Sequence, residues 1–250
     1  MQQNGLSWIQ DTHRQEDSIQ SYRRAFEAHP ANLLVVRNFL KEDGAAQLGT
    51  FLQTEAQYET LHGLYSTMKN HPQGLANATE TEWVTAEESD RFYRLRKFVG
   101  LSRNSQLTPN LVAYMKFRNA FNEPAFRQFF ISVTGLSLDL NEATFHSFMM
   151  KPGDFLRHHD DTGNNNYHVA FVLYLTPGWQ PEFGGELQMF DPRGEMTSVS
   201  PEYNSLVLFK VNPRTKHQVA PIKGNGDLGR VTISGWMHKP DHEQQASPSI

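Results

Sequence analysis

The chain of 250 residues contains no cysteine. Disulfide scaffolds, thiolate zinc sites, iron–sulfur clusters and cysteine nucleophiles are therefore all excluded. Basic runs are missing too. The formal net charge is -4, and no cluster of Lys or Arg would draw the protein to a phosphate backbone or an anionic membrane surface. Neither a nucleic acid nor a membrane is expected as a partner. No apolar run is long enough to cross a bilayer, and the opening MQQNGLSWIQDTHRQEDS lacks the apolar centre of a secretory leader. These absences lead to the expectation of a cytoplasmic protein. What remains is 38% hydrophobic and 20% charged, the balance of a globular chain with a proper core.

Two textures divide the sequence. Through about residue 140 the spacing predicts mostly helices. HRQEDSIQSYRRAFEAHP carries Ile19, Tyr22 and Phe26 at helical intervals and stops at Pro30. NLLVVRNFL reads as a short strand and KEDGAAQLGTFLQTEAQYETLHGLY as a second helix. The polar stretch NHPQGLANATETEWVTAEESDR reads as an irregular excursion, a lid candidate anchored by Trp83. PNLVAYMKFRNAFNEPAFRQFFISVTG gives one or two further helices between Pro109 and Gly135. Beyond residue 140 come short strands separated by turns rich in Gly, Pro, Asn and Asp: TFHSFMMK, DFLRHHDD, HVAFVLYLT, GELQMFD, SLVLFKV, KHQVAPI and RVTISGWM. Seven strands without intervening helices predict a sandwich or barrel of jelly-roll type, with the preceding helices buttressing one sheet. The end, HEQQASPSI, reads as a frayed tail.

The densest chemistry lies in GDFLRHHDDTGNNNYHVAFVLYL, residues 153–175. Strand residues two apart point the same way, so a His-x-Asp pair offers an imidazole and a carboxylate to one cation. Two such pairs are present and face oppositely: His158 with Asp160, and His159 with Asp161. A third histidine from a distant strand would complete a facial triad with open positions, an arrangement suited to non-haem Fe(II). His217 in NPRTKHQVAPI is the candidate. In RVTISGWM, Arg230, Thr232, Ser234 and Trp236 share one parity, while Val231, Ile233 and Met237 make an ordinary core face. An Arg with a hydroxyl two residues on is a clamp for a carboxylate, and Tyr174 in VAFVLYL can add a phenol to it. The same row could equally face water.

In their order, the His-x-Asp pair, the Tyr-bearing strand, GGELQMF, His217 and RVTISGW resemble the Fe(II)/2-oxoglutarate-dependent oxygenases. Within these, GDFLRHHDD, YLTPGWQPEFGGELQMFD and RVTISGWMHKP are similar to the prolyl-hydroxylase branch, in particular to the subgroup that includes prolyl hydroxylases of a ribosomal protein and bacterial relatives. The likeness covers roughly residues 145–240. It implies an α+β fold with a mainly β core, a double-stranded β-helix (jelly roll) buttressed by N-terminal helices. It also implies one catalytic domain over 1–250, with helical support and a few strands in 1–140, the β-helix in 141–240 and a flexible tail in 241–250. The cofactors implied are Fe(II), 2-oxoglutarate and O2, with room for ascorbate. Fe(II) would be held by His217 and a His-x-Asp pair, and the form of the closer subgroup favours His159 and Asp161 over the register of His158 and Asp160. Arg230 would bind the distal carboxylate of 2-oxoglutarate with help from Tyr174 and Thr232, and Trp236 would line the pocket beside the metal. No catalytic residue beyond these ligands is implied. Gly184 and Gly185 would form the bend before ELQMF. Members of the family often carry a tyrosine shortly before the Gly of PGDFL, where this chain has Met149 and Met150.

The implied reaction hydroxylates an unactivated C–H, first of all that of a proline in a protein or peptide such as a ribosomal protein, and releases succinate and CO2. A free amino acid or another small molecule is the alternative substrate. Two other classes use the same residues differently. A zinc hydrolase would use His-Asp-His to activate water but has no need of the Arg230 row. A catalytically silent ligand-binding barrel would need no triad. Segment 70–90 and TGNNNYH are candidates for moving lid elements.

Overall fold

A computed structural model describes residues 5–69, 77–101, 106–224 and 228–240. The tail expected over 241–250 lies outside these residues, as does part of the 70–90 segment. The elements in chain order are α1 (Glu16–Ala28), β1 (Leu33–Val36), α2 (Glu42–Thr54), β2 (Gln57–Leu64), α3 (Tyr65–Lys69), β3 (Asn77–Ala78), α4 (Glu80–Thr85), β4 (Arg91–Gly100), α5 (Pro109–Phe121), α6 (Pro124–Thr134), β5 (Ala143–Met150), β6 (Phe155–His159), β7 (Tyr167–Tyr174), β8 (Leu187–Phe190), β9 (Met196–Val199), β10 (Ser205–Lys210), β11 (Lys216–Val219) and β12 (Arg230–His238).

Local chemistry sets the helix ends. Glu16 and Asp17 in the first turn of α1, and Glu42 and Asp43 in that of α2, suit the positive end of the helix dipole. Thr108 caps α5 by accepting from the Leu111 N–H, with Pro109 directly after it. Helix α6 begins at Pro124 and ends on Gly135 at φ 71°, a left-handed stop that suits glycine. In α4, Thr79 and Glu82 satisfy each other's backbone N–H groups in a capping box.

The strands form one antiparallel sheet in the order β1-β10-β7-β12-β5-β4-β6-β11-β8-β9, and β2 pairs with β4 and β3. This is the double-stranded β-helix expected from the sequence, with differences in individual elements. Residues 57–64, expected to continue the second helix, are a strand. Helix α2 ends at Thr54, and β2 runs along β4 from Gln57↔Gly100 to Leu64↔Arg91. Pairing over eight residues overrides the helical spacing of QYETLHGL. Strands β4 and β9 were not anticipated either. The excursion with Trp83 is ordered as α4, and Trp83 is buried against Leu64, Ala78 and Phe155.

Alternation along each strand separates two cores. Phe171, Leu173, Leu206, Leu208, Val231, Ile233 and Met237 face the helices and pack on Phe121, Phe126, Phe130 and Val133. Ala170, Tyr174, Leu187, Met189, Val207 and Phe209 point into the barrel, with Trp236 packed against them. The buried Asp154 pairs with Arg94 at 2.6 Å and with Arg96, and accepts from the Lys151 N–H at 2.8 Å. This network holds the turn before β6 against β4 and so fixes where the strand bearing the two histidines begins.

Candidate metal and carboxylate site

Strand β6 lies beside β11, and His159 is the direct cross-strand partner of His217. Facing residues on paired strands present neighbouring side chains, so the two imidazoles lie with ring centres 4.0 Å apart. The chain turns immediately after His159. Asp160 accepts from the Thr162 N–H at 3.0 Å and hydroxyl at 2.6 Å, closing the turn on itself. Asp161 takes φ 60°, a left-handed conformation that aspartate tolerates better than most residues. Its carboxylate thereby meets both rings, with Oδ1 at 3.3 Å from His159 Nε2 and Oδ2 at 3.3 Å from His217 Nε2. One ligand atom from each of His159, Asp161 and His217 lies within 4.8 Å of the others.

The other pair is not assembled. His158 is exposed, with its ring edge-on to Phe190 at 4.2 Å, and Asp160 is engaged in the turn. Neither belongs to the cluster with His217.

The tautomer of His159 is constrained. Its Nδ1 lies 2.8 Å from the Arg157 carbonyl oxygen, which accepts only from an N–H, so Nδ1 keeps its proton and Nε2 is the nitrogen that gives up its proton to become a ligand when the ring is neutral. Burial opposes charge throughout the cluster, but Asp161 overrides it at His159, whose pKa is raised. At His217 burial, reinforced by the charge of His159, prevails and lowers the pKa. Burial also opposes charge on Asp161, yet His217 and His159 keep the carboxyl well below the ordinary carboxylate range. The set is two imidazoles and one ionised carboxylate, the donor chemistry of a non-haem iron triad.

Arg230 and Tyr174 are both buried inside the barrel, and the guanidinium carbon lies 4.9 Å from the phenol ring centre. Burial lowers the pKa of Arg230 and raises that of Tyr174, the latter against the pull of the Arg230 charge. Among the described residues, Arg230 Nε and the Tyr174 hydroxyl have no hydrogen-bond partner. Besides the neighbouring Tyr174 hydroxyl, which favours its charge, the guanidinium touches Met150 Sδ through Nη1 at 3.6 Å, a weak acceptor. A buried charge left without its partner costs about 3–5 kcal/mol. Such a group fits a bound carboxylate, and 2-oxoglutarate carries one at the end distal to its metal-chelating keto acid. Thr232 is buried on the same strand face, directly opposite Tyr174. Trp236 sits further along and donates its indole N–H to Asp161 Oδ2 at 2.9 Å.

Several contributors escaped the sequence reading. Of the two methionines, Met150 pairs with Arg230 and faces the carboxylate pocket, whereas Met149 packs in the helix-side core. Gly185, at φ 76°, is more than a bend: a Cβ there would lie 3.0 Å from Arg230 Cδ and 2.5 Å from Ile222 Cδ1. Its missing side chain makes room for the arginine. Phe209 stands 4.7 Å from the His217 ring, Phe92 lies edge-on to His159 at 5.8 Å, and Tyr167 stacks on Trp236. The inward parity of Phe209 was readable once the barrel was assumed. Phe92 and Tyr167 carried no local signal.

The comparisons with known proteins agree with this geometry. Residues 145–238 match the family model of the 2OG-Fe(II) oxygenase superfamily. The family implies Fe(II), 2-oxoglutarate and O2. The chain is similar to Prolyl 3-hydroxylase OGFOD1 of Mus musculus, 37% identical over 35% of this chain and 17% of that protein. It is also similar to the protein of the same name from Xenopus laevis, 34% identical over 50% of this chain and 27% of that protein. The chain thus spans little more than a quarter of these relatives' length at most. Among solved structures, a Pseudomonas putida prolyl-4-hydroxylase matches with TM-score 0.57 and 20% identity, covering 89% of this chain and 99% of that one. A Trichoplax adhaerens prolyl hydroxylase, solved with a hypoxia inducible factor peptide, matches with TM-score 0.58 and 15% identity over 96% and 100%. At these identities the structures bear on the fold alone. No helix among the described residues is long and apolar enough to cross a membrane.

Proposed function

We propose that the protein is a 2-oxoglutarate-dependent dioxygenase that hydroxylates a proline in a protein or peptide. His159, Asp161 and His217 hold Fe(II) in this reading, and the described chain acts as one catalytic unit. The observation that carries it is the buried Arg230, which forms no ion pair among the described residues, with the Tyr174 hydroxyl in the same barrel interior as the His-Asp-His cluster. A zinc hydrolase has no use for that pair, and a silent barrel has no use for the triad.

Bound together, the metal, 2-oxoglutarate and O2 supply the oxidation that turns a C–H into C–OH with release of succinate and CO2. The chain's own residues do the rest. His159 and His217 present Nε2, and Asp161 presents its ionised carboxylate. The protein supplies three ligands, leaving the remaining positions to cosubstrates. Arg230 fixes the far carboxylate through charge-assisted bonds, Tyr174 donates its hydroxyl to the same group, and Thr232 lines the pocket beside them. Met150 offers no competing carboxylate to the guanidinium.

The prolyl assignment rests on the relatives named above and on the walls of the cluster. Phe92 beside His159, and Trp236, which bonds to Asp161 and stacks on Tyr167, are aromatic neighbours of the cluster suited to an uncharged saturated ring. The net charge of -4 suits a basic protein substrate, and a ribosomal protein is the one we favour.

The test is an anaerobic titration of metal-free protein with Fe(II) and then 2-oxoglutarate, followed in the visible for the weak charge-transfer band of a chelated keto acid. Succinate release and a gain of one oxygen on proline-bearing peptides would follow. Folded protein that gives no band returns the zinc or silent-barrel reading.

A further inference from the structure

We infer that Trp236 is a positioning residue for the metal carboxylate and the clasp of the loop that carries it, with Tyr167 holding the indole in place. The inference rests on the metal reading above.

Asp161 has three polar contacts: His159 Nε2 and His217 Nε2 at 3.3 Å each, and Trp236 Nε1 at 2.9 Å. The first two do not survive metal binding. A histidine that ligates through Nε2 directs its lone pair at the cation and has no proton there to share. In His159 the proton already sits on Nδ1, held by the Arg157 carbonyl. An indole N–H is a donor only and does not change with pH or metal. Of the contacts that orient Asp161, the bond from Trp236 is the one compatible with an occupied site.

The carboxylate needs such a restraint. It follows the end of β6 at a positive φ, where no ladder hydrogen bonds define its direction. The Asp160 turn fixes the backbone but leaves the Asp161 side-chain torsions free.

Trp236 is itself held. The Tyr167 ring lies over it with centres 4.3 Å apart and planes 2° from parallel. Tyr167 is where the loop re-enters the sheet at β7, and Asp161 is where the loop leaves β6. One indole thus engages both ends of DTGNNNY, residues 161–167: the first through a hydrogen bond and the last through a stack. Trp236 can do this because it sits on β12 next to β7, with Ala170 opposite it on that strand, so no large side chain displaces the ring.

The experiment uses the full chain, stripped of metal and titrated with Co(II) by calorimetry and by its visible d–d absorption. W236F, Y167L and Y167F run beside wild type, with circular dichroism to establish that each is folded. The expected result is a Co(II) affinity weakened about 10- to 100-fold in W236F, with an altered d–d band, as for other partners of metal ligands. Y167L should weaken binding several-fold, and Y167F, which keeps the ring, should recover affinity relative to Y167L. A merely structural role would lower the melting midpoint without moving the band. If W236F does not fold, Y167L against Y167F decides by the same readouts. Wild-type uptake of Co(II) with unchanged affinity and band in the folded variants overturns the inference alone. Wild-type protein that takes up no Co(II) overturns the metal reading beneath it.

Discussion

His159 and His217 are direct cross-strand partners on β6 and β11, and their rings lie 4.0 Å apart. The pair is made by backbone pairing, not by a flexible loop, so the site inherits the rigidity of the sheet. It also inherits the sheet's parity. A slip of one residue would bring His158 to the interior and send His159 outward.

That parity can be tested by substitution. H159A, D161A and H217A are each expected to abolish Fe(II) uptake and the keto-acid band, because two remaining ligands hold iron poorly. H158A removes an exposed ring that packs on Phe190 and should bind Fe(II) as wild type does. Loss of the band in H158A alone would show that the other register holds the metal.

Arg230 should discriminate between cosubstrate binding and metal binding. R230K keeps the charge but loses the planar fork, and its Kd for 2-oxoglutarate should rise roughly 10- to 100-fold, the worth of one or two charge-assisted bonds. Fe(II) affinity should stay the same, since Arg230 does not belong to the His-Asp-His cluster. Calorimetry with each ligand in turn separates the two effects, and equal losses in both would place Arg230 elsewhere in the mechanism.

A metal ion bound only by the folded state stabilises it by mass action. Mn(II) at a hundred times its Kd should add about 2.7 kcal/mol to unfolding. D161A should show no such gain. Urea midpoints with and without Mn(II) measure both, and a gain that persists in D161A would point to a different ion site.

His146 provides a pH dependence outside the His-Asp-His cluster. It lies on β5 within 5.7 Å of the Phe148 ring and 6.4 Å of Trp236. Burial, helped by the charge of Lys97, pushes its pKa from 6.5 down to about 4. The fold therefore prefers the neutral ring. This contribution is complete above pH 6.5 and is lost progressively as the pH falls toward 4, because the unfolded chain binds the extra proton first. Metal-free wild type should lose about 1 kcal/mol more than H146Q between pH 7.5 and 5, allowing for the part of the ring still in solvent. Parallel urea curves for the two proteins at both pH values would show His146 to be uninvolved.

The helix-side core gives a stability prediction. Phe171 is 2% exposed and packs 4.9 Å from Phe121, joining β7 to α5. F171A should cost about 3–5 kcal/mol by lost burial and the cavity left behind. A denaturant midpoint moved by less than about 1 kcal/mol would mean that the helices are not a load on this face of the sheet.

The sequence by itself determined the chemistry on offer. HHDD, His217 and the shared parity of the Arg230–Trp236 row could be read directly because a strand alternates with period two, while their roles came from the order of motifs that resembles the oxygenase family. Seven strands of the barrel were legible from the same alternation, and α1, α5 and α6 from apolar spacing and their Pro and Gly ends.

Tertiary structure decided the rest. QYETLHGL has a spacing compatible with a helix, and only its partner β4 makes it a strand. Strand β4 escaped notice because RFYRLRKFVG is rich in charge, and two of its arginines are spent on the buried Asp154, which lies far along the chain. Local alternation cannot choose between two overlapping His-x-Asp pairs, since each is a valid period-two pair. The ladder between β6 and β11 selects which histidine meets His217, and the positive φ at Asp161 selects which aspartate follows it. Met150 beside Arg230, Gly185 making room for it and Tyr167 on Trp236 are contacts between residues distant in sequence. No pattern within one segment encodes them, because each depends on how separate strands come to lie side by side.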